Sequence, residues 1–317
     1  YTISVNIHKE KTDTFKWRQY PDCSFAKTAK DMKSFYLNGN IVLLTSDGEK
    51  TSTYSLDAAN GRQFNNLNTT LATDAWKNAL VNENILYVLD GKTLKKTTNG
   101  QQYDTIMDNA PIDRLIAAST KEIYGLDGNN NIMVSKDKGQ TWNVDIMDSD
   151  SKYVPTDDIS YIAIPFKYDN NSDYVLLAGN NATAAAYTDS TAFVWSKTID
   201  KSIDDKENKW TYYNYDSNSK SPLKSLDGLT MVCHGNYILA LGGKGLGACK
   251  ETAHAAIYFS LDNGLTWHNN DTIVYPYGFD KYNTAMAVCS DKDNYIWIVC
   301  NNTGQVWKGR MNEVAWQ

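Results

Sequence analysis

Arginine, long apolar runs and blocks of like charge are all scarce in this sequence of 317 residues. Guanidinium groups occur only at Arg18, Arg62, Arg114 and Arg310, and the net charge of -6 is spread along the chain without a basic block. This composition disfavours nucleic-acid binding, which needs clustered basic residues. No apolar run approaches the length of a membrane-spanning helix, so we predict no membrane span in these residues.

Cysteine and histidine are too few and too scattered to build a recognisable metal or hydrolase site. The five cysteines include no Cys-x-x-Cys pair. Cys233 and Cys289 end similar apolar runs, which favours a role as small buried hydrophobic residues over disulfide pairing. The four histidines form no His-Glu-x-x-His motif, and a Gly-x-Ser-x-Gly elbow is missing. We therefore predict no bound metal and no cofactor.

Two eight-residue stretches, 135–142 and 260–267, repeat one pattern of Ser, Asp, Gly, Thr and Trp at identical offsets. Ser and Asp oxygens can accept hydrogen bonds from nearby backbone N–H groups, Gly can adopt a positive φ, and Trp can enter an apolar layer at the start of the next strand. The pattern predicts a structural turn with a buried Trp. Its members are Ser135, Asp137, Gly139, Trp142, Ser260, Asp262, Gly264 and Trp267.

The same kind of unit recurs along the chain, with a strand-closing aromatic residue at blade-like intervals. These aromatic residues are Phe64, Tyr103, Trp142, Trp210, Trp267 and Trp316. Continuous apolar runs precede them and are typical of strands buried on both faces. The clearest runs cover residues 41–44, 174–177, 237–241 and 295–299.

The repeated Ser-Asp-Gly-Thr-Trp turn resembles the Asp box, or BNR repeat, of sialidase-like β-propellers. The resemblance implies an all-β fold, and the repeat count predicts a six-bladed propeller over residues 15–317, with seven blades as the alternative. One closing strand is surplus in that count. We expect Phe15–Tyr20 to close the ring by pairing with the strand near residues 305–308, which would hide a sheet edge.

Residues 1–14 stand outside the repeats, with one alternating strand followed by a charged linker. They resemble the last strand of a preceding immunoglobulin-like domain. Together with the low arginine content, they are similar to secreted or lipid-anchored propeller proteins of Bacteroidetes. That resemblance implies an exported protein at the cell surface, outside the cell or in the periplasm, with its export signal upstream.

The sequence lacks key residues of the enzyme sites that its motifs could suggest. Sialidases of the resembled family grip a carboxylate with three arginines, one in an Arg-Ile-Pro motif that this sequence does not contain. Paired carboxylates occur at 157–158, 204–205 and 291/293, but in polar loops where solvated side chains are the rule. The glycine-rich stretch 242–247 leads into a strand and not into a helix, so it predicts a flexible connection and not a phosphate site.

Long connections in the last three units suggest where a ligand would bind. Residues 179–190, 242–254 and 268–282 should emerge on the face opposite the Asp-box turns and carry tyrosines that could stack on a ligand. The predicted ligand-binding residues are Arg114, Tyr187, Lys244, His254, Tyr275, Tyr277 and Tyr282. We predict a non-catalytic binding module for a glycan or a surface protein. The alternatives are a glycoside hydrolase or lyase, and a structural or assembly protein.

Overall fold

The computed structural model describes the greater part of the chain. The described residues are 15–119, 121–145, 160–165, 172–179, 193–200, 210–213, 230–235, 237–242, 257–262, 264, 266–269 and 272–311. The predicted strand and linker within residues 1–14, and the closing aromatic Trp316, lie outside them. Within the described residues no helix is long and apolar enough to cross a membrane.

The described residues form strands joined by turns and loops, with one short 3-10 helix at Ser24–Thr28. In chain order the strands are β1 Phe15–Tyr20, β2 Asp31–Leu37, β3 Asn40–Ser46, β4 Thr51–Asp57, β5 Asn65–Leu71, β6 Ala79–Asn82, β7 Ile85–Asp90, β8 Thr93–Thr97, β9 Asp104–Met107, β10 Arg114–Ala118, β11 Ile123–Leu126, β12 Ile132–Ser135, β13 Asn143–Val144, β14 Ser160–Pro165, β15 Ser172–Gly179, β16 Phe193–Asp200, β17 Trp210–Tyr213, β18 Thr230–His234, β19 Tyr237–Leu241, β20 Tyr258–Ser260, β21 Met286–Ser290, β22 Ile296–Cys300 and β23 Val306–Met311.

These strands form antiparallel sheets in the order expected of a propeller. Sheets 1 to 4 are β2–β5, β6–β9, β10–β13 and β14–β17, each with its strands in chain order. Sheet 5 is β18-β19-β20, and sheet 6 is β21-β22-β23-β1. The first strands contact one another in the closed cycle β2, β6, β10, β14, β18, β21 and back to β2. The prediction of an all-β propeller is therefore confirmed.

Sheet 6 joins the two ends of the described chain. Strand β1 pairs with β23 in antiparallel register, with Phe15 opposite Met311 and Tyr20 opposite Val306. The prediction that Phe15–Tyr20 closes the ring is confirmed. His234, at the end of β18, helps to fix the closure because its Nε2 accepts the Met311 N–H at 3.1 Å. Burial lowers the pKa of His234 to about 4, so the ring is a neutral acceptor at neutral pH.

The apolar runs predicted as second strands are confirmed, and β3 shows why they are continuous. Ile41 and Leu43 pack against sheet 6, whereas Val42 and Leu44 pack against sheet 2. All four side chains are fully buried. A strand between two neighbouring sheets needs an apolar residue at every position, which explains why alternation is lost.

The closing aromatic residues lie where the chain enters the fourth strand of a sheet. Phe64, Tyr103 and Trp142 immediately precede β5, β9 and β13, and Trp210 begins β17. In sheet 5 the corresponding Trp267 precedes a single bridge, in which Phe259 and His268 exchange both backbone hydrogen bonds at 2.8 Å. The repeat in the sequence thus marks the third-to-fourth strand connection of successive sheets.

Candidate functional site

The ring has two faces with different kinds of connection. Because strands alternate in direction, the first-to-second and third-to-fourth connections emerge on one face, here named the turn face. The second-to-third connections and the links between sheets emerge on the other, here named the loop face. The repeated Ser-Asp-Gly-Thr-Trp turns lie on the turn face, and the predicted ligand residues that the structure describes, Arg114, Tyr275, Tyr277 and Tyr282, belong to the loop face.

The turn at residues 135–142 is a closed hydrogen-bond network. Ser135 Oγ donates to Asp137 Oδ1 at 2.9 Å and accepts the Gly139 N–H at 2.8 Å. The Asp137 carboxylate also accepts the Thr141 N–H at 2.8 Å and the Thr141 hydroxyl at 2.6 Å. These bonds lower the pKa of Asp137, because they favour the charged carboxylate.

The turn at residues 260–267 repeats that network. Ser260 donates to Asp262 and accepts the Gly264 N–H, both at 2.8 Å, and Asp262 accepts the Thr266 N–H and hydroxyl at 2.8 and 2.5 Å. Each carboxylate is thus committed to holding its turn. The Ser and Asp side chains of the motif therefore serve the architecture of both turns.

The two tryptophans of these turns differ in burial. Trp267 is 8% exposed, as the sequence predicted for a core residue. Trp142 is only half-buried, at the edge of the cluster between sheets 2 and 3, which corrects the prediction for that residue. Its indole N–H donates to the Gly139 carbonyl at 3.1 Å, so the ring lies along the turn and not beneath it.

Three of the predicted ligand residues, Tyr187, Lys244 and His254, lie outside the described residues. Tyr275 is described and is buried at 8% exposure, in the cluster between sheets 5 and 6. Its ring packs on Phe279 at 4.6 Å between centroids, and burial raises the pKa of its phenol. The prediction that Tyr275 offers a stacking surface is therefore wrong, because this ring anchors the loop from below.

Tyr277 and Tyr282 are exposed on the same connection, at 102% and 66%. They project from the segment of residues 275–285 between sheets 5 and 6, here named the Asp280 loop. The structure thus leaves these two predicted ligand residues accessible on the loop face.

Asp280 braces this loop from within. Its N–H donates to Gln305 Oε1 at 2.8 Å, and its carboxylate accepts the Thr303 N–H and hydroxyl at 3.1 and 3.0 Å. The same carboxylate accepts the Tyr282 N–H at 3.1 Å, while Gln305 donates to the Gly278 carbonyl at 2.9 Å. The loop is therefore held against the second-to-third connection of sheet 6, which fixes the backbone beneath both exposed tyrosines.

Arg114 lies at the inner ring together with a cation that the sequence did not single out. Arg114 is the first residue of β10, and Lys33 on β2 donates to the carbonyl of Ala79, the first residue of β6, at 2.8 Å. Burial lowers the pKa of Lys33 to about 8, and the charge of Arg114 acts in the same direction. The first residues of inner strands mark the loop-face end of the ring. A single lysine within a strand carries no motif from which this placement could be inferred.

The other three arginines lie elsewhere, which fits the prediction that no sialidase triad is present. Arg18 and Arg310 lie on β1 and β23 of sheet 6, and Arg62 lies on the turn-face connection between β4 and β5. Arg114 alone belongs to an inner strand. A clamp of three guanidinium groups around one carboxylate therefore cannot form at the ring opening.

A buried ionic cluster joins sheets 3 and 4 and was also missed. Lys197 on β16 donates to Asp145 Oδ2 at 2.8 Å and to Glu122 Oε2 at 3.1 Å. The Trp210 indole N–H donates to Asp145 at 2.8 Å, and the Tyr124 hydroxyl donates to Glu122. All five side chains are at most 9% exposed. Because all five side chains are buried, we assign the cluster to the contact between the two sheets.

A cleft of about 240 Å³ opens on the turn face between sheets 1 and 6. Two aspartates that line it accept backbone N–H groups of their own turns. Asp57 accepts the Ala59 and Asn60 N–H groups at 2.9 and 3.0 Å, and Asp291 accepts the Asp293 and Tyr295 N–H groups at 2.9 Å. The Trp297 indole also donates to Asp291 at 2.9 Å. Among the described residues no cluster of ligating side chains could hold a metal ion.

The sequence pattern of the DUF6242 beta propeller domain family matches residues 11–317. No curated protein is a match for the sequence. An alpha-L-arabinanase from Penicillium chrysogenum, solved with arabinobiose, is 11% identical over 96% of this chain and 99% of its own, with a TM-score of 0.50. A Bacteroides thetaiotaomicron protein is 10% identical over 95% of this chain and 77% of its own, with a TM-score of 0.52.

A GH74 enzyme from Niastella koreensis is 17% identical over 88% of this chain, with a TM-score of 0.45, and this chain spans 45% of its length. At 10% and 11% identity, the Bacteroides thetaiotaomicron and Penicillium chrysogenum structures show a shared fold and leave activity open.

Proposed function

The chain belongs to the DUF6242 beta propeller domain family, and we propose that it is a non-catalytic binding module that takes a glycan or a surface protein on its loop face. The observation that carries this proposal is the pair of exposed rings, Tyr277 and Tyr282, on a loop that Asp280 braces. Exposed tyrosines on a fixed backbone offer large contact area at a small loss of conformational entropy.

Two further features belong to the same proposal. The closed cycle of six inner strands supports a six-bladed ring, in which the Phe259 to His268 bridge stands for the fourth strand of sheet 5. The matching networks at Asp137 and Asp262 support an Asp-box propeller of the sialidase-like type. We propose that the protein acts outside the cell, at its surface or in the periplasm, in keeping with the resemblance of its sequence to exported propellers.

The test is a glycan-array screen followed by affinity measurements on single variants. We expect Tyr277→Ala and Tyr282→Ala each to weaken a bound glycan about tenfold, as loss of a stacking ring does. The matched control is Leu261→Ala, which removes an apolar side chain of 59% exposure from the turn face. It should leave affinity unchanged.

Two results would contradict the proposal. One is a ligand whose affinity both tyrosine variants leave intact. The other is a ligand that Leu261→Ala alone releases, which would move the site to the turn face. If no glycan binds, the same three variants are tested against surface proteins presented on cells, and the tyrosine variants should again be the ones that lose binding.

A further inference from the structure

Four cations share one face of the closing sheet, at the outer rim of the ring. The register of β1 on β23 places Lys16 directly opposite Arg310 and Arg18 directly opposite Lys308. Lys16 and Arg18 are exposed, and the other two are half-buried. The four residues are not neighbours in the sequence, because each cross-strand pair joins a residue of β1 to a residue of β23. We name these four residues the rim patch.

Like charges directly opposite each other destabilise an antiparallel pair. Two such pairs side by side are notable in a chain of net charge -6. Lys96, exposed on the third strand of sheet 2, shows the ordinary arrangement, because it lies opposite Asp104. The rim patch therefore concentrates positive charge at a cost to the strand pairing that closes the ring.

Aromatic rings lie beneath the patch and are already covered by its cations. Lys308 Nζ lies 4.3 Å from the ring centre of Tyr295 and 4.6 Å from that of Trp297, and the Arg310 guanidinium lies 4.6 Å from Tyr295. Trp297 is fully buried and Tyr295 is half-buried, so a sugar has little open ring surface to stack on here. Lys308 Nζ also donates to the Ala58 carbonyl of sheet 1 at 3.0 Å, so Lys16 and Arg18 are the charges that the patch exposes to a ligand.

Among the described residues, Asp291 and Asp293 act on the patch from its inner side. Burial lowers the pKa of Lys308, the charges of Asp291 and Asp293 oppose that shift, and those of Arg18 and Arg310 add to it. Asp291 is itself engaged by the turn N–H groups and the Trp297 indole. The outer strand β1, with Lys16 and Arg18, stands further from these acids than β23 does.

We propose that the rim patch binds an extended acidic segment of a partner protein, with carboxylates at alternate positions. Residues two apart in a strand are about 7 Å apart, and opposite residues are about 5 Å apart. An extended peptide has the same repeat, and its alternate side chains point to one side. One carboxylate can therefore form a charge-assisted hydrogen bond with Lys16, in the field of Arg310, while the next does so with Arg18, in the field of Lys308. This surface is distinct from the loop-face site proposed above.

The experiment uses a short synthetic peptide of alternating Thr and Asp, titrated against the whole chain at about 50 mM salt, where screening is weak. A peptide of the same composition with its Asp residues in adjacent pairs keeps the charge and loses the spacing. We expect the alternating peptide to bind at least about tenfold more tightly than the paired one.

The double substitution Lys16→Gln with Arg18→Gln should weaken the alternating peptide about tenfold or more. Both positions are exposed, so the variant should fold, and removal of like charges should leave its melting temperature unchanged or raised. The matched control is Lys96→Gln with Lys121→Gln, which removes two exposed cations elsewhere. It should leave the peptide affinity unchanged. Arg18→Lys, which keeps the charge, should retain most of the binding.

Three outcomes would overturn the proposal. One is equal affinity for the two peptides, which would mean attraction by charge alone. Another is equal weakening by the control pair of substitutions. The third is tighter binding of polygalacturonate or a sulfated polysaccharide that the rim-patch variant abolishes, which would make the patch a glycan surface.

Discussion

The buried cluster around Lys197 gives the sharpest test of how sheets 3 and 4 are held together. Replacing Lys197 with Met keeps the apolar stem and removes the ammonium that contacts Glu122 and Asp145 at 3.1 and 2.8 Å. Both carboxylates are less than 10% exposed. Asp145 then loses this ammonium, and Glu122 keeps a longer contact of 3.6 Å with the ammonium of Lys136.

Breaking a buried ion pair by removing one partner typically destabilises a protein by about 3–5 kcal/mol. At about 2 °C per kcal/mol, the low end for large domains, that becomes a fall of about 6–10 °C in melting temperature. Differential scanning fluorimetry at pH 7 measures it. Lys92→Met is the matched control, because it removes one lysine from an ion pair whose side chains are 59% and 44% exposed. That variant should lose at most about 1 kcal/mol.

A triple variant tells whether the loss of stability comes from the remaining buried carboxylates or from lost packing. Adding Glu122→Gln and Asp145→Asn to Lys197→Met removes the two buried carboxylates that lost the Lys197 ammonium, so the triple variant should melt above the single one. If Lys197→Met melted no lower than Lys92→Met, the cluster would not hold the sheets together. If the triple variant melted lower than the single one, the uncompensated charge would not be the cause.

Two further predictions concern the turns and the ring closure. Trp267→Ala should destabilise the protein by about 3–5 kcal/mol, because it empties a buried aromatic site. Asp262→Ala should cost only about 1–2 kcal/mol, for the lost hydrogen bonds of the turn. Urea unfolding midpoints measure both variants, and a larger loss for Asp262→Ala would refute the structural role of the turn. Burial lowers the pKa of His234 from 6.5 to about 4 in the folded protein. Between pH 6.5 and 4 the unfolded chain therefore binds a proton at this histidine that the folded protein does not bind. The free energy of unfolding should fall as the pH drops through this range, by up to about 3 kcal/mol. His234→Gln should flatten that part of the curve measured by urea unfolding at each pH, and an unchanged slope would mean that His234 does not titrate there.

The strands and turns could be predicted because their causes are local. A second strand lies between two sheets, so its residues at 41–44 are all apolar, and each turn places Ser, Asp and Gly at fixed offsets. The closing strand could be predicted by counting, because one aromatic strand had no unit of its own. Tyr275 was misjudged because Tyr275, Tyr277 and Phe279 are evenly spaced, two residues apart, yet are buried, exposed and half-buried, so their spacing does not tell inside from outside.

The charged features could not be predicted, because contacts between residues far apart in the sequence create them. Lys197 meets Glu122 across 75 positions of sequence, and Lys16 meets Arg310 only through the register of the first described strand on the last. Shifting that register by one residue would turn Lys16 and Arg18 to the face that packs on sheet 5, where Phe15 and Trp17 now lie. The apolar packing of Phe15 and Trp17 therefore fixes where the rim patch points. The sequence determines this surface by fixing the strand register, and the four cations come together only when β1 pairs with β23.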